Sequence, residues 1–250
     1  GNGIIVDISK YFTHILELNK GEKWVRVQPG VIRDELNMFL KPHGLMFGPE
    51  TSTANRAMMG GMVGNNSCGS NSIVYRSTRE HLLEVKAILS DGSEAEFKAL
   101  NIDEFHNKCE GKTLESNIYK TIRSLLSNYE NQQEIKKEFP KKSIERRNTG
   151  YAVDVLLDMA PFNAGETDFN FCKLIAGSEG TLAFLTEIKL NIVPLPPEET
   201  GLLCVHFNTI DESLRANLIA LKYYPTASEL IDHYILECTK DNIEQSKNRF

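Results

Sequence analysis

The sequence lacks the patterns that mark several large classes of protein. Its five cysteines are far apart and form no CxxC pair, which argues against a disulfide framework or a thiolate metal cluster and favours a reducing, cytoplasmic compartment. No apolar run approaches the roughly 18 residues of a membrane-spanning helix, and no signal peptide is visible. With a net charge of −6 and no basic stripe, the chain is not expected to bind nucleic acid.

Motifs of metal binding and nucleophilic catalysis are also missing. The six histidines show no HxH, HxxxH or HExxH spacing, so we interpret them as structural or surface residues and predict no metal site. There is no GxSxG element, and a nucleophilic triad is not assigned. The catalytic residues are therefore left open.

What is present is the composition of a folded globular protein. Hydrophobic residues make up 41% of the chain and charged residues 25%, and 250 residues allow one or two domains. The chain starts at Gly1 without a methionine and ends in the polar run Asn242–Phe250. From these ends we expect a piece of a longer protein, truncated on both sides.

Hydrophobic periodicity predicts short strands and amphipathic helices. Apolar residues three and four apart indicate one helix that starts near Ile32 and stops at Pro42. A longer helix runs from Leu114 and ends before Pro140. The predicted strands are Gly3–Ile8, a hairpin of His14–Asn19 with Lys23–Gln28, and a hairpin of Leu82–Ser90 with Glu94–Phe97.

A proline-rich segment predicts a domain boundary. Three of the nine prolines fall within Pro194–Pro197. Beyond it we predict a strand over Leu202–Phe207 and a helix with Leu214, Leu218 and Leu221 on one face. A capping box, Thr226–Glu229, predicts the start of another helix.

The segment Gly60–Gly69 is the first candidate binding element, with four glycines in ten positions. Glycine lets backbone N–H groups approach a ligand closely, and successive N–H groups in a turn form an anion-binding nest. The string matches neither GxGxxG nor a P-loop, so a glycine-rich surface loop is the alternative interpretation. Because Met58, Met59, Met62 and Val63 accompany the glycines, we expect a loop that is packed on one side and open on the other.

Two further segments are open to two interpretations each. Gly177–Gly180, between strand-like apolar flanks, is either a second nest or an ordinary turn between strands. Arg146–Tyr151 is either an anion-binding loop or a solvated basic turn.

Taken together, these strings resemble the FAD-linked oxidase family, whose PCMH-type FAD-binding domain has the vanillyl-alcohol oxidase fold. The nearest branch is that of the D-lactate, glycolate and D-2-hydroxyglutarate dehydrogenases. The resemblance implies an α+β fold, with the larger part of an FAD-binding domain over 1–195 and the start of a substrate domain over 196–250. Five blocks in the family's order carry it: Phe47–Thr53, Gly60–Gly69, Leu82–Gly92, Asn148–Tyr151 and Ile175–Leu182.

The resemblance also implies a reaction and a set of residues. A hydride passes from a 2-hydroxy acid to N5 of FAD, and the electrons go on to a separate acceptor, such as an iron–sulfur domain or a quinone. Many relatives have Ala-Gly-Gly where this chain has Ser67-Cys68-Gly69, and Arg76 replaces a glycine. The residues implied to contact FAD are Pro49, Ser52, Thr53, Gly60, Gly61, Gly64, Asn66, Ser67, Gly69, Gly177, Gly180 and Thr181.

Several of the family's functional elements would fall outside the chain. Its first pyrophosphate-binding loop would precede Gly1, and its metal-binding histidines and substrate-binding arginine would follow Phe250. We therefore expect the chain by itself to bind FAD weakly or not at all and to be inactive. Two alternatives stay open: an NADPH-dependent cell-wall-precursor reductase of the same fold, and a non-catalytic flavin-binding or electron-transfer module of a larger fusion protein.

Overall fold

An antiparallel sheet of five strands lies at the centre of the computed structural model, which describes residues 5–147, 150–163 and 167–244. The strand order is β1-β2-β6-β4-β5, and β3 pairs separately with β7. The strands are β1 (Ile15–Asn19), β2 (Trp24–Val27), β3 (Leu45–Met46), β4 (Leu82–Ile88), β5 (Glu94–Phe97), β6 (Phe184–Asn191) and β7 (Val193–Pro194).

The sheet has one apolar face and one charged face, as alternating strands require. Val25, Val85 and Ile188 are fully buried in the core. On the other face, Arg26 contacts Glu84 at 2.7 Å, in a network of ion pairs that also links neighbouring strands. This alternation fixes the register of β2, β4 and β6, because a shift by one residue would bury the charges.

Short helices cover the apolar face and the connections between strands. In α1, Leu36 and Leu40 are fully buried, and Gly44 ends the following 3₁₀ turn with a φ of +71°. The helices are α1 (Arg33–Leu40), α2 (Met59–Asn65), α3 (Ser72–Tyr75), α4 (Thr78–His81), α5 (Ile102–Lys108), α6 (Leu114–Ser127), α7 (Tyr129–Glu138), α8 (Val153–Leu157), α9 (Cys172–Ile175), α10 (Ile210–Ala220) and α11 (His233–Cys238).

A cluster of aromatic rings packs α5 and α6 against the sheet. The rings of Phe105 and Phe169 lie 4.7 Å apart, as do those of Tyr119 and Phe171. Burial raises the pKa of the Tyr119 hydroxyl above its ordinary value. These rings belong to the same hydrophobic core as Val25, Val85 and Ile188 of the sheet.

The structure confirms the α+β fold class and most of the predicted elements. Both hairpins form, and the second turns at Gly92, where φ is +82°. The helix predicted from Leu114 is present as two helices, because Asn128 adopts an extended conformation between α6 and α7.

Three predicted elements are wrong. In Gly3–Ile8 the described residues 5–8 form no strand, and Ile5 is 96% exposed with no strand beside it. Leu202–Phe207 is likewise exposed and not paired with a described strand. The last helix does not open at Thr226, because the Asp232 carboxylate accepts a hydrogen bond from the Ile235 N–H at 2.9 Å and caps α11 there.

Residues 193–244 contain no buried side chain. The domain boundary at residues 195 and 196 stays a prediction. In the described part of the chain, no helix has the length and apolar character needed to cross a membrane.

Candidate functional site

Three of the four glycines of the first candidate segment lie in a helix, so the prediction of a loop is wrong for Gly60–Asn65. Met59, Met62 and Val63 are fully or almost fully buried, and their i, i+3, i+4 spacing places them on one face of α2. The burial of these apolar side chains outweighs the low helix propensity of glycine. Successive N–H groups of α2 therefore follow the helix axis and do not form the predicted nest.

The three glycines of α2 have different surroundings. A Cβ on Gly60 would lie 2.8 Å from the Cβ of Pro29, so close packing requires glycine there. Gly64 faces the turn at Glu179 and Gly180, where a Cβ would make ordinary contacts. Gly61 is exposed, and a Cβ on it would meet no atom within 4 Å. Among the described residues, no packing contact explains the glycine at position 61.

Gly61 is exposed and lies in the first turn of α2, where backbone N–H groups have no acceptor within the helix. The neighbouring N–H groups of Met59 and Gly60 donate to the carbonyl oxygens of Val31 and Pro29. The Gly61 N–H has no acceptor in the described part of the chain. A bare backbone donor on an open helix face is suited to close approach by an anionic group.

The second glycine-rich segment docks directly on α2. The Gly177 N–H donates to the Val63 carbonyl and the Glu179 N–H donates to the Gly64 carbonyl, both at 2.9 Å. Two segments more than a hundred residues apart in the sequence therefore form one surface, with Gly61 and Gly180 exposed on it. The flank before this turn is the helix α9 and not a strand, so its interpretation as a turn between two strands is wrong.

Thr181 completes this surface. Its hydroxyl donates to the Ser178 carbonyl at 2.5 Å and lies 2.7 Å from the Tyr151 hydroxyl. Tyr151 belongs to the basic segment, of which Asn148 and Thr149 lie outside the described residues. The end of that segment is thus tied to the second glycine turn.

Asn66 and Ser67 are buried and connect α2 to α4. The Asn66 side-chain oxygen accepts hydrogen bonds from the Ser77 hydroxyl and the Arg79 N–H, each at 2.8 Å. The Ser67 carbonyl accepts from Thr78. These observed contacts are structural, and the sequence analysis missed residues 77–79. The capping box formed by Ser77 and Glu80 was a signal that could have identified them.

The segment Pro49–Thr53 is held beside Gly69 by an acidic residue that the sequence analysis also missed. Glu50 accepts hydrogen bonds from the Ser70 hydroxyl at 2.6 Å and the Asn71 N–H at 3.2 Å. A Cβ on Gly69 would lie 2.3 Å from the Glu50 side chain, so this approach requires glycine. Pro49 is buried, Thr53 is half-buried and Ser52 is exposed.

Arg76 adopts a backbone conformation that suits glycine. Its φ of +57° and ψ of −148° lie in a region that side chains rarely occupy. The family resemblance implies a glycine here. In this chain Arg76 has a conformation that glycine adopts easily, and its guanidinium contacts Glu145.

A cavity of about 200 Å³ lies next to this network, between Arg79, Glu80, Arg147 and Lys173. None of the twelve predicted FAD-contacting residues lines it. Arg147 pairs with Asp154, whose second carboxylate oxygen is buried and has no hydrogen-bond partner among the described residues. No cluster of side chains that could hold a metal ion occurs among the residues that the structure describes.

The open surface of α2 and the second glycine turn fits FAD. Gly61 supplies a donor without a side chain over it, as a pyrophosphate or a flavin edge requires. The individual FAD contacts of the twelve residues stay predictions. No side chain on this surface is assigned as an acid or a base.

Comparisons with known proteins also find an FAD-binding domain in this chain. A family model described as an FAD binding domain matches residues 1–98. D-2-hydroxyglutarate dehydrogenase of Haemophilus influenzae is 37% identical over 97% of this chain, and that of Escherichia coli is 36% identical over 96%. In both cases the chain spans 23% of the relative's length.

More distant matches also cover most of this chain and only part of the other protein. The mitochondrial cytochrome-dependent D-lactate dehydrogenase of Kluyveromyces lactis is 27% identical over the whole chain, which covers 33% of it. A solved structure of alkyldihydroxyacetonephosphate synthase has a TM-score of 0.49 at 15% identity, covering 86% of this chain and 28% of that one. Residues 1–98 therefore match an FAD-binding domain, whose cofactor is FAD, and the chain as a whole is similar to the D-2-hydroxyglutarate dehydrogenases.

Proposed function

We propose that the protein oxidises a 2-hydroxy acid with bound FAD, and that D-2-hydroxyglutarate is its substrate. The proposal is supported by the FAD-binding domain and by the relatives that are 36–37% identical, which are D-2-hydroxyglutarate dehydrogenases. D-lactate and glycolate are the competing substrates, since more distant relatives carry those names. When bound, FAD supplies the hydride acceptor.

The observation that carries the proposal is the exposed Gly61. A glycine inside a helix costs about 0.5–1 kcal/mol relative to alanine. At Gly60 close packing with Pro29 explains that cost, but at Gly61 there is open space. A ligand that approaches the backbone explains the glycine, and FAD is the ligand that the family provides.

The chain's own residues would bind and orient the cofactor. The Gly61 N–H would donate to it, and the glycine turn at Gly177–Thr181 would bound it on the other side. Asn66 and Glu50 would hold the two neighbouring segments in place through the hydrogen bonds described above. The electrons would leave to a separate acceptor, for which an iron–sulfur protein and a quinone are the candidates.

The test uses the whole protein that contains this chain. Its FAD content is measured after purification, and D-2-hydroxyglutarate, D-lactate and glycolate are each supplied with an artificial electron acceptor. The proposal expects one FAD per protein and the highest kcat/KM with D-2-hydroxyglutarate. Oxidation of NADPH in place of all three acids would favour the reductase alternative, and bound FAD without turnover of any of them would favour a non-catalytic module.

A further inference from the structure

Arg79 is a buried cation whose partners are backbone carbonyl groups. Its side chain donates to the Lys173 carbonyl at 2.9 Å and to the Ala176 carbonyl at 2.7 Å. The residue is 5% exposed, and among the described residues no carboxylate forms an ion pair with it. Burial is the main cause that lowers the pKa of the guanidinium, which nevertheless stays protonated.

Lys173 in turn donates hydrogen bonds to backbone carbonyl groups, including that of Arg79. Its ammonium donates to the Arg79 carbonyl at 2.7 Å and to the Leu82 carbonyl at 3.2 Å. Burial also lowers the pKa of Lys173. Each of the two cations therefore binds the backbone of the other, so α4 and α9 are joined at this point by charged donors.

The Arg79 side chain also contacts the residues that begin the second glycine turn. The Ala176 carbonyl that Arg79 binds directly precedes Gly177, whose φ is +94°. A Cβ on Gly177 would lie 2.8 Å from the Arg79 Nη2 atom. The Gly177 N–H then donates to Val63 in α2. The guanidinium thus packs against the Gly177–Thr181 turn, which docks on α2.

We propose that Arg79 and Lys173 are positioning residues of the FAD site, which fix the Gly177–Thr181 turn against α2 at the spacing that FAD requires. This inference rests on the proposed FAD-binding role of that surface. A buried cation is expensive unless its donors are satisfied. Here the cost is offset by hydrogen bonds whose geometric effect is to hold the turn.

The experiment measures hydrogen–deuterium exchange and FAD affinity in the whole protein. The variants are Arg79→Lys, which cannot bridge both carbonyls as the planar guanidinium does, and Lys173→Met, which removes the donors. In both, amide exchange in Ala176–Thr181 should become about tenfold faster, which corresponds to about 1.4 kcal/mol. The dissociation constant of FAD should rise by a similar factor, and the circular dichroism of the bound flavin should change.

Matched controls separate positioning from general stability. Arg123→Lys and Lys136→Met alter exposed residues of α6 and α7 and should change neither quantity. Exchange in β6 serves as an internal reference and should stay at the wild-type rate. Lys173→Arg keeps a cation with donors and should recover most of the FAD affinity.

The outcomes distinguish this inference from the proposed function. Unchanged exchange in the turn, equal acceleration in the turn and β6, or a loosened turn with unchanged FAD affinity would each contradict the positioning role. If the wild-type protein binds no FAD while the turn loosens in the variants, the proposed function fails and the structural link between Arg79 and the turn stands.

Discussion

Two adjacent glycines in α2 show that glycine can be required at neighbouring positions for two different reasons. Gly60 is in contact with Pro29, whereas Gly61 has open space where a side chain would be. The first glycine is explained by packing within the protein. The proposed function explains the second by a bound ligand, so Gly61 is the position where fold stability and cofactor binding can be tested separately.

Gly61→Ala should raise the thermal unfolding midpoint of the FAD-free protein, because alanine in a helix is favoured by about 0.5–1 kcal/mol. The same variant should weaken FAD binding about tenfold, equivalent to about 1.4 kcal/mol, because a methyl group covers the open backbone. Differential scanning calorimetry and flavin fluorescence measure the two effects.

Gly60→Ala is the matched control. The Cβ of the alanine would lie 2.8 Å from Pro29. The substitution should therefore destabilise the protein by about 1–3 kcal/mol and lower its unfolding midpoint. If Gly61→Ala bound FAD as tightly as the wild type, the placement of FAD on this face of α2 would be wrong.

Arg76 offers a second test of a single residue. Arg76→Gly should stabilise the protein by about 1 kcal/mol or more, because the observed φ and ψ cost a side chain that much and glycine little. Arg76→Ala removes the exposed contact with Glu145 but keeps the strain, so it should be neutral or slightly destabilising. If Arg76→Gly and Arg76→Ala had the same unfolding midpoint, the backbone at position 76 would not be strained.

Among the secondary-structure elements, the helix α2 was not predicted from the sequence because it is rich in glycine. Glycine at three of its seven positions points to a loop, and that interpretation is wrong. The helical signal was carried by Met59, Met62 and Val63, whose spacing places them on one buried face. The low helix propensity of glycine disfavours a helix here. The burial of three apolar side chains on one helix face favours it and is the larger effect.

The helices α6 and α7 show the opposite case, in which the apolar pattern is continuous but the helix is not. The apolar spacing from Leu114 to Tyr129 predicts one helix, and the structure breaks it at Asn128. The Asn128 side chain accepts a hydrogen bond from the Asn131 N–H at 2.9 Å and caps α7. A cap in the middle of a continuous apolar pattern is a weaker signal than the pattern itself.

Asn128→Ala should therefore destabilise the protein by about 1 kcal/mol, the usual cost of a lost N-cap. Gln133→Ala, at an exposed position in the same helix, should change the unfolding midpoint little. The two midpoints are compared in the same buffer by circular dichroism. Equal effects of the two substitutions would show that Asn128 is not acting as a cap.

The hairpins and the amphipathic α1 were predictable because their signals are local. Asp91-Gly92 marks a turn by itself, and Leu36 and Leu40 mark a face by spacing alone. The strand expected at Leu202–Phe207 had the right residue types, yet a strand also needs a neighbour, which a single segment cannot reveal. The roles of Glu50 and Arg79 were missed for the same reason, since each depends on a distant backbone group.

Over the whole molecule, the candidate site is assembled from segments that the sequence separates widely. Glu50 holds the first glycine segment from one side, and Arg79 with Lys173 holds the turn after Ala176 from the other. The family resemblance placed these blocks in one site before their contacts could be known. The contacts explain how α2 and the turn at Gly177 form one surface.

The central claim is that this surface binds FAD in a protein that oxidises a 2-hydroxy acid. The most direct measurement is anaerobic addition of D-2-hydroxyglutarate to the FAD-loaded whole protein, with the visible absorbance of the oxidised flavin as the readout. The account predicts loss of that absorbance with the D-enantiomer and none with the L-enantiomer. A fully FAD-loaded protein whose absorbance is unchanged by D-2-hydroxyglutarate, D-lactate and glycolate would contradict it.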